Sequence, residues 1–420
     1  MSSKIRLALI GCGGIASAYL NGLRILRQHD LEDVEVSVLC SRNEESARRI
    51  NERGNAPDPL PSIVPGGAGA DPLNIRDVYV TDVNGGKPAK IYTEWKRAIA
   101  DPDVDAVVIL TPVDSHHVIG MGAIEAGKHV LIEKPMAITV RAARKLCEMT
   151  EERNLTVGVA ESLRYDMQTR AARWAIDNDY IGHLEMVVHT SIGGVWAPDK
   201  IVGKTPWRHR KLQTGSGILM DIGTHLFDKI RYLFGEPRQV SGLVKTVEQV
   251  RVTRDRAGDV VDNVHCDVED TAFANIVFQN GAMGSVNLSW SGNGQSAELP
   301  GGTVFYGDLG CIQGRDIVSN HEGTIPLLST FVDKIAPGEL HAMFPGGVEN
   351  VFALELREFL NAIRDNRQIE TSCDEGLKSV AMAFAVIESS LRREAIAYDD
   401  VLNCRIETYQ RFINDHLGIN

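Results

Sequence analysis

The chain has 420 residues, 43% of them hydrophobic and 24% charged, with a formal net charge of -12. That length suits two or three globular domains of about 100 to 200 residues each and the composition excludes a disordered or fibrous chain. An acidic surface repels phosphate backbones and anionic lipid, so neither nucleic acid nor membrane is expected as a partner, and a small neutral substrate is.

In chain order, residues 5–10 form an apolar run read as a strand. Residues 15–26 then place Ile15, Ala16, Tyr19, Leu20, Leu23 and Leu26 on one helix face. Lys4 and Arg6 ahead of a run ending at Cys12 resemble a lipoprotein cleavage box. The apolar stretch falls short of the roughly 7 to 15 residues a signal core takes, so a strand entering a glycine turn is expected instead. A strand over 34–39 and a helix over 44–53 follow. Residues 54–90, with Pro57, Pro59, Pro61, Pro65, Gly66, Gly67, Gly85 and Gly86, read as a long surface insertion.

Alternation resumes with a strand over 104–110, a nearly continuous apolar run expected of a strand buried on both faces. A helix over 118–126, a strand over 130–133, a helix over 140–153 and a strand over 156–160 complete a first domain, 1–161. Strands alternating with helices require a parallel sheet with covering helices, the doubly wound Rossmann architecture.

The pattern then changes to a second domain, 162–420, of α+β type with a large, mainly antiparallel sheet. It carries helices over 167–178 and 218–234, a strand over 184–190, and strands over 271–278 and 282–290 around the turn Gln279-Asn280-Gly281. Helices over 351–363 and 377–391 follow. One open face of such a sheet needs cover, so a homodimer or homotetramer is expected. No segment approaches the roughly 18 apolar residues of a membrane span. The seven cysteines, Cys12, Cys40, Cys147, Cys266, Cys311, Cys373 and Cys404, are scattered without a CxxC pair. They read as reduced thiols of a cytoplasmic protein.

Gly11, Gly13, Gly14, Ile15 and Ala16 fit G-x-G-x-x-A directly after a strand and opening a helix. The first glycine permits the tight turn, the second lets backbone approach a pyrophosphate, and the small Ala16 allows close helix packing, while the helix N-terminus offers free N–H groups. Dinucleotide enzymes place an acid after the second strand to hold the ribose hydroxyls; here Ser41 and Arg42 stand there. Room and positive charge for a 2'-phosphate favour NADP, with NAD the alternative.

Three further segments carry chemistry. Thr111 and Pro112 end the 104–110 strand, with His116 following, and Glu133-Lys134-Pro135 ends the next strand. Both lie at carboxyl ends of strands, where ligands of such sheets bind. The third is Gly215-Ser216-Gly217 followed by Asp221, Thr224, His225 and Asp228. These polar residues form a stripe on a helix otherwise lined by Leu219, Ile222, Leu226, Ile230 and Leu233.

Together these segments resemble the glucose-fructose oxidoreductase, inositol dehydrogenase and rhizopine-catabolism (Gfo/Idh/MocA) family, over almost the whole chain. Ser216 departs from a more usual glycine triplet, and the 54–90 insertion is longer than typical. The resemblance implies that Lys134, Asp221 and His225 surround a nicotinamide. A histidine with an ordinary pKa near 6.5 suits the base that takes a hydroxyl proton. Asp221, four residues before it, shares its helix face, and an ammonium at Lys134 suits stabilising a substrate oxygen. Arg164 and Tyr165 resemble the segment bordering the nicotinamide, and Trp207 and Arg208 offer an aromatic face and donors for a sugar ring. His116 is expected to support the cofactor loop. No further ligand follows at a metal-binding spacing, so no metal is expected.

The expected function is an NAD(P)-dependent oxidoreductase of a sugar, cyclitol or sugar-derivative alcohol or ketone. The rivals are a glycosidase using bound NAD transiently, separated by whether added cofactor is reduced in net amount, and a non-catalytic sugar or cofactor sensor, against which Lys134, Asp221 and His225 argue.

Overall fold

A computed structural model describes residues 4–54, 75, 77–194, 205–255, 257–321 and 323–419. The chain forms two units. The first comprises Met1–Ile138, Ala142–Ser162 and His341–Leu377, and the second Thr139–Arg141, Leu163–Leu340 and Lys378–Asn420. The chain leaves the first unit briefly at Thr139–Arg141 and again after Ser162, one residue from the sequence division at 161, and the segment 341–377 returns to the first unit. Its amphipathic pattern marks a helix without marking which core covers it.

Among the described residues six strands build the first unit's sheet: β1 (Ile5–Ile10), β2 (Val34–Cys40), β3 (Lys90–Tyr92), β4 (Ala106–Ile109), β5 (His129–Glu133) and β6 (Val157–Ala160). Their order is β3-β2-β1-β4-β5-β6, and every pairing is parallel. All four residues of β4 are buried, as its unbroken apolar run requires. The order reverses between β1 and β4, so the carboxyl ends of these two strands flank the switch point where such sheets bind ligands.

Behind the sheet the helix Gly14–Gln28 packs against the helix Val351–Arg364. Contact is close because Gly22 has no side chain: a Cβ there would meet the Ala353 nitrogen at 2.9 Å. The Tyr19 and Phe352 rings lie 5.3 Å apart.

Within the expected 54–90 insertion, residues 55–74 and 76 lie outside the described residues. The remainder is not wholly loop. Val80–Val83 forms a helical turn, and Lys90–Tyr92 supplies edge strand β3, too short and polar to show a period.

The second unit contains β7 (Leu184–Ile192), β8 (Pro237–Lys245), β9 (Val250–Arg254), β10 (Val260–His265), β11 (Thr271–Phe278), β12 (Met283–Ser289), β13 (Ala297–Gly307), β14 (Gly310–Gln313), β15 (Asp316–Ser319), β16 (Gly323–Pro326) and β17 (Ile396–Ala397). Among the described residues nine strands pair in the order β16-β15-β14-β13-β7-β12-β11-β8-β17, while β9 and β10 form a separate ribbon. The large sheet is antiparallel except that β12 runs parallel to β7.

Alternation along β11 is complete: Ala272, Ala274, Ile276 and Phe278 are buried and Phe273 is exposed. The turn into β12 uses Gly281 at φ +89°, the left-handed region that glycine enters without strain. Register places Leu243 opposite Phe273, Met283 opposite Met186, and Met186 opposite Tyr306. All five side chains are exposed and lie on one face of the sheet.

Candidate active site

In the first unit the glycine turn sits at the end of β1. Gly11 adopts φ +107°, and a Cβ there would lie 2.5 Å from the Leu110 carbonyl, so only glycine fits. Gly13 and Gly14 differ, because a Cβ on either meets nothing within 4 Å among the described residues. The helix Gly14–Gln28 has Gly13 as its N-cap with no side-chain capping bond. Uncapped N–H groups at the positive end of a helix, bordered by open space, fit the pyrophosphate of a dinucleotide. Ala16 is fully buried, as close helix packing demands.

Around that turn stand the other expected cofactor residues. The Ser41 N–H donates to the Tyr92 carbonyl at 3.0 Å, which fixes the end of β2, and Arg42 is exposed beside it. Burial raises the pKa of Asp114, while the nearby Arg42 guanidinium pulls it back down. After β4, Ser115 Oγ donates to the Pro112 carbonyl at 2.7 Å and lies 2.8 Å from the Thr111 hydroxyl oxygen, within hydrogen-bond distance.

His116 is buried, with Nδ1 2.8 Å from the Pro135 carbonyl and Nε2 2.6 Å from the Thr111 carbonyl. It therefore ties the loop after β4 to the loop after β5. Burial lowers its pKa despite both carbonyls.

Glu133 ends β5, Lys134 follows it, and the Lys134–Pro135 peptide is cis. Tyr19 Oη donates to Glu133 Oε2 at 2.7 Å and approaches Glu355 Oε2 at 3.4 Å. The sequence offered no signal for this network. Glu355 lies on a helix more than 200 residues downstream in an otherwise ordinary amphipathic pattern.

The second unit carries Asp221 and His225. Their helix does not run uninterrupted over 218–234 as expected. Leu219–Gly223 is a π-turn, and a regular helix, Thr224–Phe234, continues from it. Such turns occur frequently at functional sites.

Its start is fastened from a distance by Glu269, just ahead of β11. Glu269 Oε1 accepts from Ser216 Oγ at 2.6 Å, the Gly217 N–H at 2.9 Å and the Leu219 N–H at 3.2 Å. Ser216 thus has a structural reason to interrupt the glycine triplet, as it donates to this carboxylate. Gly217 is obligatory, since a Cβ would lie 1.7 Å from the Glu269 carbonyl oxygen. Burial raises the Glu269 pKa, and its three donors oppose that rise. Sequence reading missed Glu269; the available signal was an acidic pair, Glu269-Asp270, directly ahead of a strongly alternating strand.

Asp221 Oδ2 accepts from Arg208 Nε at 3.0 Å, and the Arg208 guanidinium lies 4.2 Å from the Trp207 ring centroid. Arg208, expected among the substrate contacts, therefore pairs with Asp221 on a stacked aromatic. Arg164 is buried and bidentate on Asp228, with Nε–Oδ2 and Nη2–Oδ1 both 2.7 Å. Asp228 also receives Ser379 Oγ at 3.3 Å.

The expected polar stripe thus divides. Thr224 and Asp228 are buried, and Thr224 Oγ1 donates to the Met220 carbonyl at 3.0 Å, whereas Asp221 and His225 are half-exposed. Tyr165 is buried under the Arg170 guanidinium, which lies 5.2 Å from its ring centroid.

Two family models match the chain. Residues 5–161 match the oxidoreductase family NAD-binding Rossmann fold, and residues 169–313 match the GFO/IDH/MocA C-terminal domain. Levoglucosan dehydrogenase of Pseudarthrobacter phenanthrenivorans is 27% identical over 326 residues, covering 71% of this chain and 81% of that protein. Inositol 2-dehydrogenase of Rhizobium meliloti is 26% identical over 303 residues, covering 71% and 82%. Among solved structures, levoglucosan dehydrogenase in complex with NADH and L-sorbose shares the fold with a TM-score of 0.73 at 22% identity, over 94% of this chain and 99% of that one. An uncapped glycine turn after β1, an E-K-P strand end and a π-turn bearing Asp221 that leads into the helix bearing His225 accompany those matches, and the chain belongs to the Gfo/Idh/MocA family of NAD-binding oxidoreductases.

Proposed function

We propose that this protein oxidises a ring secondary alcohol of a sugar, cyclitol or sugar derivative, or reduces the matching ketone, with Lys134, Asp221 and His225 as its reacting groups. The observation that carries the reading is the second unit's π-turn, which leaves Asp221 on the turn and His225 on the helix continuing from it half-exposed, while Thr224 and Asp228 beside them are buried. Its relatives include levoglucosan and inositol dehydrogenases, which supports a polyhydroxylated ring as substrate.

Bound nicotinamide cofactor supplies the hydride acceptor or donor. The uncapped turn at Gly11, Gly13, Gly14 and Ile15 would hold its pyrophosphate, with Thr111, Pro112 and Glu133 at the neighbouring strand ends. Arg42 beside Ser41 favours a 2'-phosphate and hence NADP. In the oxidative direction an imidazole nitrogen of His225 takes the hydroxyl proton, because a secondary alcohol cannot release hydride to give a neutral carbonyl while it keeps that proton. The Lys134 ammonium hydrogen-bonds the same oxygen as negative charge develops there. Asp221, held by Arg208, fixes the electrostatic setting of the histidine one turn on.

Trp207, stacked under Arg208, supports an aromatic surface for a sugar ring, and Arg164 acts through its pair with Asp228 rather than on substrate. The exposed row Leu243, Phe273, Met283, Met186 and Tyr306 supports assembly into a homodimer or homotetramer through that sheet face. A panel of anhydrosugars, cyclitols and aldoses with each oxidised cofactor, followed at the nicotinamide absorbance band, tests the reading. Net formation of reduced cofactor is expected. A chain that binds cofactor yet reduces none with any of these substrates, nor oxidises reduced cofactor with the ketones, overturns it.

A further inference from the structure

Cys147 sits on the helix Val140–Arg153, and Cys373 is the first residue of the helix Cys373–Arg392. Although 226 residues separate them, their sulfurs lie 2.8 Å apart. A covalent S–S bond measures about 2.05 Å, so closure requires less than about 1 Å of sulfur movement.

Both flanks are pinned in this approach. The Val159 N–H donates to the Thr371 carbonyl at 2.8 Å, and Gly158 bridges to Ser372 immediately before Cys373. A Cβ on Gly158 would strike Ile369 at 2.7 Å, and one on Gly376 would strike Val159 at 2.3 Å. Bare backbone at these two glycines is what lets the 369–376 segment lie against β6, which follows directly on the helix carrying Cys147. Cys12, by contrast, directs its thiol at the Cys40 carbonyl at 3.6 Å.

We propose that Cys147 and Cys373 are a covalent modification site, at which a small-molecule disulfide oxidises the two thiols to one intramolecular disulfide. Cys147 is half-exposed and Cys373 buried, which sets the order of events. The Cys147 sulfur, losing its proton to solvent, attacks one sulfur of the reagent. The reagent's S–S bond breaks, and the first thiolate leaves and takes up a proton. Cys373, losing its proton in turn, attacks the Cys147 sulfur, and the second thiolate leaves. Two protein thiols are oxidised and one reagent disulfide is reduced to two thiols, so atoms and electrons balance.

The hydrogen bond to Cys373, and then burial, push the Cys147 thiol well up. The thiolate is the attacking species, so reaction is slow near neutral pH and quickens as pH rises. The product ties the start of one long helix to the middle of another across most of the chain, restricting the unfolded ensemble far more than the folded one.

The whole chain is incubated with oxidised glutathione at mildly alkaline pH, alkylated, digested and mapped by mass. A peptide joining Cys147 to Cys373 and lighter by two hydrogens is expected, with free thiols falling from seven to five. The oxidised chain should melt several degrees higher, and reductant should reverse both changes. Cys373→Ser should trap glutathione on Cys147, whereas Cys147→Ser should leave Cys373 unreacted. Three outcomes each overturn the proposal: both thiols intact after prolonged exposure, either cysteine linked to a different one, or a lasting glutathione adduct at Cys147 in the unsubstituted chain. None of these readouts depends on the substrate or on turnover.

Discussion

Replacing Glu355 with glutamine should remove a pH dependence of stability that one buried carboxyl imposes on the first unit. Glu355 is wholly buried; Oε2 meets Tyr19 Oη at a long 3.4 Å, and Oε1 has no hydrogen-bond partner among the described residues. Burial, followed by repulsion from Glu133 and Glu161, holds its pKa well above the usual carboxylate value. Above about pH 5 the unfolded chain has released this proton, while the folded chain keeps it. Folding then takes up a proton, and stability falls by about 1.4 kcal/mol per pH unit until the folded pKa is reached. Glutamine is a neutral near-isostere with no proton to take up. For each pH unit between about pH 5 and the folded pKa the variant should therefore gain about 1.4 kcal/mol on the unsubstituted protein. Urea unfolding followed by circular dichroism at several pH values measures this difference. Parallel stability curves for the two proteins would show that Glu355 is ionised in the fold and refute the reasoning.

Glu269→Ala leaves the Gly217 and Leu219 N–H groups and the Ser216 hydroxyl buried without their acceptor, so a loss of about 3 to 6 kcal/mol is expected in urea unfolding. Glu269→Gln, which keeps an acceptor oxygen, should lose less than half of that. His225→Ala should leave cofactor affinity, read by fluorescence titration, nearly unchanged while turnover falls by about 100 to 10,000-fold. A variant that keeps near-normal turnover would transfer the base to Lys134. Arg42→Ala should weaken NADP far more than NAD, and equal weakening in calorimetric titrations counts against a 2'-phosphate contact. Leu243→Asp together with Phe273→Asp should convert the assembly to monomers in light scattering, and an unsubstituted chain that is already monomeric excludes the proposed sheet-face interface.

Legibility in the sequence followed the locality of the cause. The strand at 104–110 and the glycine turn at 11–16 were readable because burial on both faces and a positive φ leave marks at the residues themselves. The hairpin at 279–281 was readable for the same reason. The π-turn at Leu219–Gly223 was not, since its apolar spacing differs little from that of an α-helix, and the carboxylate that fastens it stands some 50 residues later. Arginines were least legible. Arg164 and Arg208 look like free donors in sequence, yet each pairs with an aspartate on the site helix or its π-turn. Nothing in local pattern reports which carboxylate an arginine will find. The same limit hid the allegiance of the helix Val351–Arg364, whose apolar stripe is as suited to one core as to another.

That allegiance has a consequence during synthesis. When residue 162 leaves the ribosome, the first unit has its whole sheet but lacks the helix that covers Gly22 and supplies Glu355. Close to 180 further residues must be translated before His341 appears, which at about 5 to 20 residues per second is a wait of roughly 10 to 40 s. For that interval Phe352 is missing from the Tyr19 ring, and an apolar helix face stands open to whatever a crowded cell presents. The nascent chain is most exposed to misassociation before its second unit is finished, and a fragment ending at 162 would carry that open face permanently.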